Sequence, residues 1–335
     1  MAKTNNYKHM KNHPLPRIDK DKNLHDMLMK YCRLGKGDIW IDKRNNHKVG
    51  CLDSNNFDDL KRMFGRKKAT LALHDPPYNM VAFQETDANE FVEWSKSWIE
   101  NSKKLLKQDS SLYIWLGADQ KNHFQPFAEF ILMMKNTEFN SRSFITMRNQ
   151  RGYGTQKNWM SIRQELLYYT LGNPEFNIKS VYTDIPKVVK GYYKEIAGKK
   201  TENLERSKSD NIRSGNVWID IQQVFHLMDE NVNGCFAQKP IKAIERIIDV
   251  SSSKGNLVID FFAHSGTTLL ASEILKRQCY TIDIDPIYCE ISIRRLENYR
   301  DSGKLGWQNS NPFEEEIKSD KKLQGYLKDK YSLEY

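Results

Sequence analysis

Residues 257–268 read Leu257-Val258-Ile259-Asp260-Phe261-Phe262-Ala263-His264-Ser265-Gly266-Thr267-Thr268, and residues 280–283 read Tyr280-Thr281-Ile282-Asp283. The first stretch is a short apolar run ending in an acid, then a turn of small residues that opens an apolar helix over 269–275. The second is another short apolar run that also ends in an acid. Strand, turn, helix and strand make one βαβ unit, whose strands pair in parallel. An acid closing the second strand can accept hydrogen bonds from ribose hydroxyls, so the unit suits an adenosine-type ligand. The turn is not Gly-x-Gly-x-x-Gly, and no lysine-bearing phosphate loop accompanies it. A nucleoside without a pyrophosphate therefore fits better than a dinucleotide.

Working outward, Gln238-Lys239-Pro240 precedes this unit, with Pro240 at a helix start and Ile241, Ile244, Ile247 and Ile248 on that helix's apolar face. Far upstream, the apolar run 69–73 leads into Asp75-Pro76-Pro77-Tyr78. Two prolines cannot continue a sheet ladder, so carbonyls here are released toward a ligand. A carboxylate, a fixed carbonyl and an aromatic face can together accept hydrogen bonds from an exocyclic amine and stack on its ring. The same tetrapeptide also reads as a plain turn ending a strand, and alone it leaves both readings open.

Between these landmarks helices are predicted over 56–64, 91–106 and 127–134, and strands over 47–52, 112–116, 144–147 and 166–170. Strands alternating with helices predict an α/β fold with a doubly wound, mostly parallel sheet. Residues 79–90 show no period and read as a mobile loop beside the tetrapeptide. From 172 to 233 the pattern weakens, and Lys187, Lys190, Lys194, Arg206 and Arg213 interleave with Tyr182, Tyr192 and Tyr193. That composition suits phosphates and bases, or equally a solvated insertion. Residues 1–35 read as an extension or arm, and the charged tail from 301 as a surface layer with Trp307 and Phe313 as anchors.

The chain has 335 residues and a formal net charge of +9, which favours a polyanionic partner. Its five cysteines, Cys32, Cys51, Cys235, Cys279 and Cys289, show no paired metal-ligand spacing. No metal is expected, and the thiols suit a reducing cytoplasm. The first twelve residues carry no apolar stretch and nothing in the chain is long and apolar enough to span a membrane, so neither a secretory signal nor a membrane is expected.

Together these stretches resemble S-adenosylmethionine-dependent DNA amino-methyltransferases over roughly 45–300. Asp75-Pro76-Pro77-Tyr78 matches the family's catalytic tetrad, Asp75 also bordering the cofactor. The loop from Asp260 to Thr268 looks like its cofactor loop, usually Asp-Pro-Phe-x-Gly-Ser-Gly-Thr-Thr. Asp283 falls at the ribose acid, and Ala237-Gln238-Lys239-Pro240 looks like the stretch bordering the methionine moiety. The resemblance implies that Lys239, Pro240, Asp260, Phe262, Ala263, His264, Ser265, Gly266, Thr267 and Asp283 hold S-adenosylmethionine.

The tetrad precedes the cofactor loop, which is the permuted beta-class order, on a Rossmann-like methyltransferase fold. The implied layout is an extension over 1–45, a catalytic half over 46–171, a target-recognition insertion over 172–233, a cofactor half over 234–300 and a tail over 301–335. Residues 151–165 resemble the segment beside the target base, adding Arg151 and Lys157 to the DNA contacts. The implied activity is methylation of adenine N6 in double-stranded DNA, in a bacterial or phage context. A homodimer and a companion restriction endonuclease accompany some such enzymes. Phe261 and His264 depart from the family's Pro and Gly. His264 reads as a tolerated loop substitution rather than a base, since the transfer needs none. Cytosine N4 is the alternative target, although those enzymes more often carry Ser at the position of Asp75. A catalytically silent nucleic-acid-binding subunit is a third reading, for which His264 speaks and the intact tetrad, loop and acid speak against.

Overall fold

The computed structural model describes residues 13–77, 88–117, 123–153, 157, 159–180, 182–188, 193–202 and 209–335. In chain order these form α1 (Lys22–Met29), β1 (Ile39–Ile41), β2 (Lys48–Cys51), α2 (Phe57–Phe64), β3 (Ala69–His74), α3 (Ala88–Leu105), β4 (Leu106–Leu116), α4 (Phe127–Met134), β5 (Asn140–Tyr153) and β6 (Ser161–Leu171). There follow β7 (Tyr182–Pro186), β8 (Tyr193–Ile196), β9 (Lys199–Glu202), β10 (Asn211–Arg213) and β11 (Val217–Trp218). The last stretch holds α5 (Ile241–Ser251), β12 (Leu257–Asp260), α6 (Thr267–Ile274), β13 (Gln278–Asp283), α7 (Pro286–Ser302), α8 (Glu314–Ser319) and α9 (Lys321–Tyr331). The chain divides into two units. One comprises Met1–Arg66, Val224–Ile244 and Asp260–Tyr335, the other Lys67–Gln223 and Glu245–Ile259.

In the first unit β1 pairs antiparallel with β2, and β2 pairs in parallel with β13. Val49, Cys51, Leu269, Cys279, Cys289, Ile293 and Leu296 form one buried cluster. Asn56 caps α2 by accepting from the N–H groups of Asp58 and Asp59, and Asp285 caps α7 through Ile287 N–H, with Pro286 in the first turn where no N–H is needed. A second cluster gathers Leu15, Ile18, Leu24 and Leu28 from the N-terminal segment with Ile287 and Ile291 of α7 and Phe313, Ile317, Leu323 and Leu327 of the tail. Residues 13–34 and the tail therefore each send a row of apolar side chains into the interior: Phe313 is fully buried, and Trp307 packs against the same cluster.

In the second unit the strand order is β12-β3-β4-β6-β5-β11. The β12/β3, β3/β4 and β5/β11 pairs are parallel, while β4/β6 and β5/β6 are antiparallel. The mixture has a simple cause: β5 and β6 are neighbours in sequence and fold back on each other, whereas β3 and β4 are separated by α3 and can run in parallel. Cross-strand pairing lengthens these strands well beyond the apolar cores that the sequence marks. β3 is apolar and buried nearly throughout, as a strand covered on both faces must be. Within 172–233 short pairs occur, β7 with β10 and β8 with β9. The expected loop at 79–90 lies outside the described residues except for 88–90, which begin α3. Among the described residues no helix is long and apolar enough to cross a membrane.

Candidate functional site

In the first unit the chain leaves β12 at Asp260, whose carboxylate accepts from Phe262 N–H at 2.9 Å. Ala263 N–H then bonds to the Ile282 carbonyl of β13 at 2.8 Å, and Gly266 N–H turns back to Ala263 at 2.7 Å. The turn is tight enough to put both His264 (φ 43°) and Gly266 (φ 72°) in the left-handed region. It is also tied to the acid: His264 N–H donates to one oxygen of Asp283 at 2.9 Å, and Asp285 N–H to the other at 3.0 Å. Burial nevertheless pushes the Asp283 carboxyl up to about 7. The Ile284 N–H also bonds this carboxylate, whose two oxygens together can still accept from a hydroxyl.

His264 retains some solvent contact, yet burial, with Lys239 nearby, holds its imidazole down at about 4. Its ring lies 4.9 Å from that of Tyr288, and the position carries a side chain despite its positive φ. Gly266 has no such freedom. A Cβ there would lie 2.8 Å from the Ser292 Cα of α7. Gly266→Ala is expected to destabilise the protein by about 2–4 kcal/mol, from left-handed strain plus overpacking. A thermal melt that matches the unsubstituted chain would contradict this.

Lys239 and Pro240 are buried beside the loop, where the Lys239 carbonyl accepts from Thr267 Oγ1 at 3.4 Å. Gln238 reaches back to Glu230 and Val232, and the Glu230 carboxylate accepts from Ile241 N–H at 2.7 Å at the start of α5. Arg295 of α7, fully buried, joins these parts. Its guanidinium donates to the carbonyls of Ser265 (2.9 Å), Glu230 (3.1 Å) and Leu305 (2.7 Å) and to Thr267 Oγ1 (2.9 Å). Neither Arg295, Glu230 nor Asp285 is marked by any motif. Lys239, Pro240, Asp260, Phe262, Ala263, His264, Ser265, Gly266, Thr267 and Asp283 thus share one unit and one bonded framework. The donor set suits a nucleoside ligand: an acid with spare lone pairs, and α6 opening at Gly266 without a side-chain cap. Among the described residues no His, Cys, Asp or Glu group is arranged to hold a metal, and the five cysteines are free thiols.

Asp75, Pro76 and Pro77 belong to the second unit, at the C-terminal end of β3. Asp75 is half-buried, Pro76 buried and Pro77 exposed, while Tyr78 lies outside the described residues. The preceding His74 is fully buried, with Nε2 2.7 Å from Ser102 Oγ and its ring 5.3 Å from that of Trp98. Burial pushes its imidazole down to about 3, so it anchors the strand end to α3 as a neutral group. Sequence reading missed it, since nothing local to a histidine at the end of an apolar run announces Ser102 and Trp98 as its partners.

Of the basic residues assigned to DNA, Lys190 and Arg206 lie outside the described residues, as do the side chains of Arg151 (β5) and Lys194 (β8). Lys157 is exposed. Lys187 donates to the Ser209 carbonyl and sits 6.0 Å from the Tyr182 ring. Arg213 helps line a cavity of about 550 Å³ with Tyr113, Arg142, Tyr168, Phe176 and Trp218.

A protein-family model for N6 and N4 methyltransferases, described as DNA methylase, matches residues 69–294. The chain is 28% identical over 239 residues to the Type II methyltransferase M.BamHI of Bacillus amyloliquefaciens, covering 69% of this chain and 53% of that protein. It thus spans about half the length of that relative. It is 27% identical over 239 residues to the DNA adenine methyltransferase YhdJ of Escherichia coli K12, covering 68% of this chain and 76% of that protein. The solved PvuII DNA methyltransferase, cytosine-N4-specific, superposes with a TM-score of 0.52 at 16% identity over 74% of this chain and 85% of its own. That likeness shows the fold, a mixed sheet flanked by helices on the permuted Rossmann-like plan. With two thirds of its length matched by the family model, the chain belongs to the S-adenosylmethionine-dependent DNA amino-methyltransferases, a family spanning N6-adenine and N4-cytosine specificities.

Proposed function

We propose that this chain methylates the exocyclic N6 of an adenine turned out of double-stranded DNA, with S-adenosylmethionine as methyl donor. The observation that carries the reading is an aspartate followed by two prolines at the end of the buried strand β3. The amine's lone pair is conjugated with its ring, which makes it a poor nucleophile. The Asp75 carboxylate and the Pro76 carbonyl accept its two hydrogens and favour a pyramidal nitrogen with its lone pair aimed outward. The bound cofactor supplies a methyl group already activated by its sulfonium. After transfer the nitrogen sheds one proton. Tyr78 stacks on the base, which must leave the duplex to reach these groups.

Asp283 takes the ribose hydroxyls, and Lys239, Pro240 and the loop 260–267 surround the rest of the cofactor. Residues 172–233 form the target-recognition region, where Lys187, Lys190, Lys194, Arg206 and Arg213 meet phosphates together with Arg151 and Lys157. Adenine is favoured by aspartate at position 75 and by the name of YhdJ. Cytosine N4 stands beside it as the second reading, because the family spans both bases and a cytosine-N4 enzyme shares the fold. The class of reaction is tested by incubating the protein with methyl-labelled S-adenosylmethionine and unmethylated genomic DNA or RNA. Label in DNA is expected. Label in RNA alone, or in neither with cofactor binding intact, would contradict the proposal.

A further inference from the structure

The N-terminal segment reaches the neighbourhood of the loop 260–267 through a chain of contacts, all within the first unit. Ile18 N–H donates to the Gly234 carbonyl at 3.2 Å, and the Arg17 guanidinium lies 3.6 Å from the Phe236 ring centroid. Gly234 (φ 95°) favours glycine, because any other residue would be strained there and its Cβ would press on the side-chain ends of Leu15 (2.9 Å) and Ile18 (3.0 Å). Asp21 fastens the segment to the tail by accepting from the hydroxyls of Tyr326 (2.7 Å) and Tyr331 (2.6 Å). On α1, His25 Nε2 lies 2.9 Å from Asp285 Oδ2. Facing a carboxylate, that nitrogen is the donor.

Asp285 is thereby held at both oxygens, Oδ1 by Ile287 N–H at 2.9 Å and Oδ2 by His25. Its own N–H fixes one oxygen of Asp283 at 3.0 Å. Two carboxylates two residues apart repel, so the orientation of Asp283 depends on Asp285 being pinned. We propose that His25 is a positioning residue for the Asp283 carboxylate, acting through Asp285. This rests on the reading of Asp283 as the ribose acid.

S-Adenosylhomocysteine binding by calorimetry, alongside thermal melts, tests it on the full chain. His25→Ala is expected to weaken binding about fivefold, the loss of roughly one hydrogen bond. His25→Gln, which can still donate to Asp285, is expected to restore most of that loss. Tyr331→Phe removes a bond from the same clasp away from Asp285, so it is expected to lower the melting temperature and leave affinity unchanged. Unaltered binding by His25→Ala would overturn the inference, and so would an equal loss in Tyr331→Phe, which marks a merely structural clasp. If the unsubstituted protein binds no S-adenosylhomocysteine, the nucleoside reading of Asp283 falls first, and this inference with it.

Discussion

Asp75→Ala is expected to lower methyl transfer to DNA by about 10²–10³-fold, the usual cost of removing one group that orients and polarises a reacting centre. The methyl group of alanine accepts no hydrogen bond, so the amine keeps its lone pair in the ring. Strand β3 is held at this end by His74, Ser102 and Trp98, so the substitution leaves the strand in place. Binding of S-adenosylhomocysteine, whose proposed contacts are mostly in the other unit, is expected to fall by less than about tenfold. Asp75→Asn keeps one acceptor oxygen and loses the charge, so its rate should lie between the two. Turnover by Asp75→Ala at the unsubstituted rate would remove the role assigned to Asp75.

Arg295→Ala is expected to have the largest effect on stability, about 3–5 kcal/mol. The side chain is fully buried, and three backbone carbonyls and the Thr267 hydroxyl accept from it. Burial lowers the guanidinium to about 10, still charged at neutral pH. Its removal leaves those acceptors without their donor and opens a void under the loop 265–267. Thermal melts and S-adenosylhomocysteine titration together read the outcome: both stability and affinity should fall. Arg295→Lys should recover part of the stability, since an ammonium reaches only some of the four acceptors. A normal melting temperature for Arg295→Ala would contradict its assignment as the tie between the loop, Glu230 and Leu305.

The βαβ unit around 257–283 was legible because strand, turn and helix are adjacent in sequence and each carries its own local signal. β3 was legible for the same reason. The hairpin of β5 and β6 was only half legible: its apolar core shows, but its ends are set by pairing with each other rather than by composition. The packing of the N-terminal segment was not legible because Leu15, Ile18, Leu24 and Leu28 are diluted by Lys, Asn, His and Asp. Their partners, Phe313, Ile317, Leu323 and Leu327, lie nearly three hundred residues on. Arg295 was invisible for a different reason. An arginine flanked by Arg294 on a helix reads as solvated surface, and only the three-dimensional position of the carbonyls of Ser265, Glu230 and Leu305 shows otherwise. The basic residues of 172–233 were chosen by composition, and composition does not say where a side chain goes; Lys187 is occupied with the Ser209 carbonyl.

The most direct test of the proposed chemistry is the identity of the methylated nucleoside. Unmethylated genomic DNA is incubated with the protein and methyl-labelled S-adenosylmethionine, digested to nucleosides, and resolved against standards. Labelled N6-methyladenine is the predicted product. Labelled N4-methylcytosine in its place would contradict the adenine assignment while leaving the amine chemistry at Asp75 standing, and label on a ring carbon would contradict both.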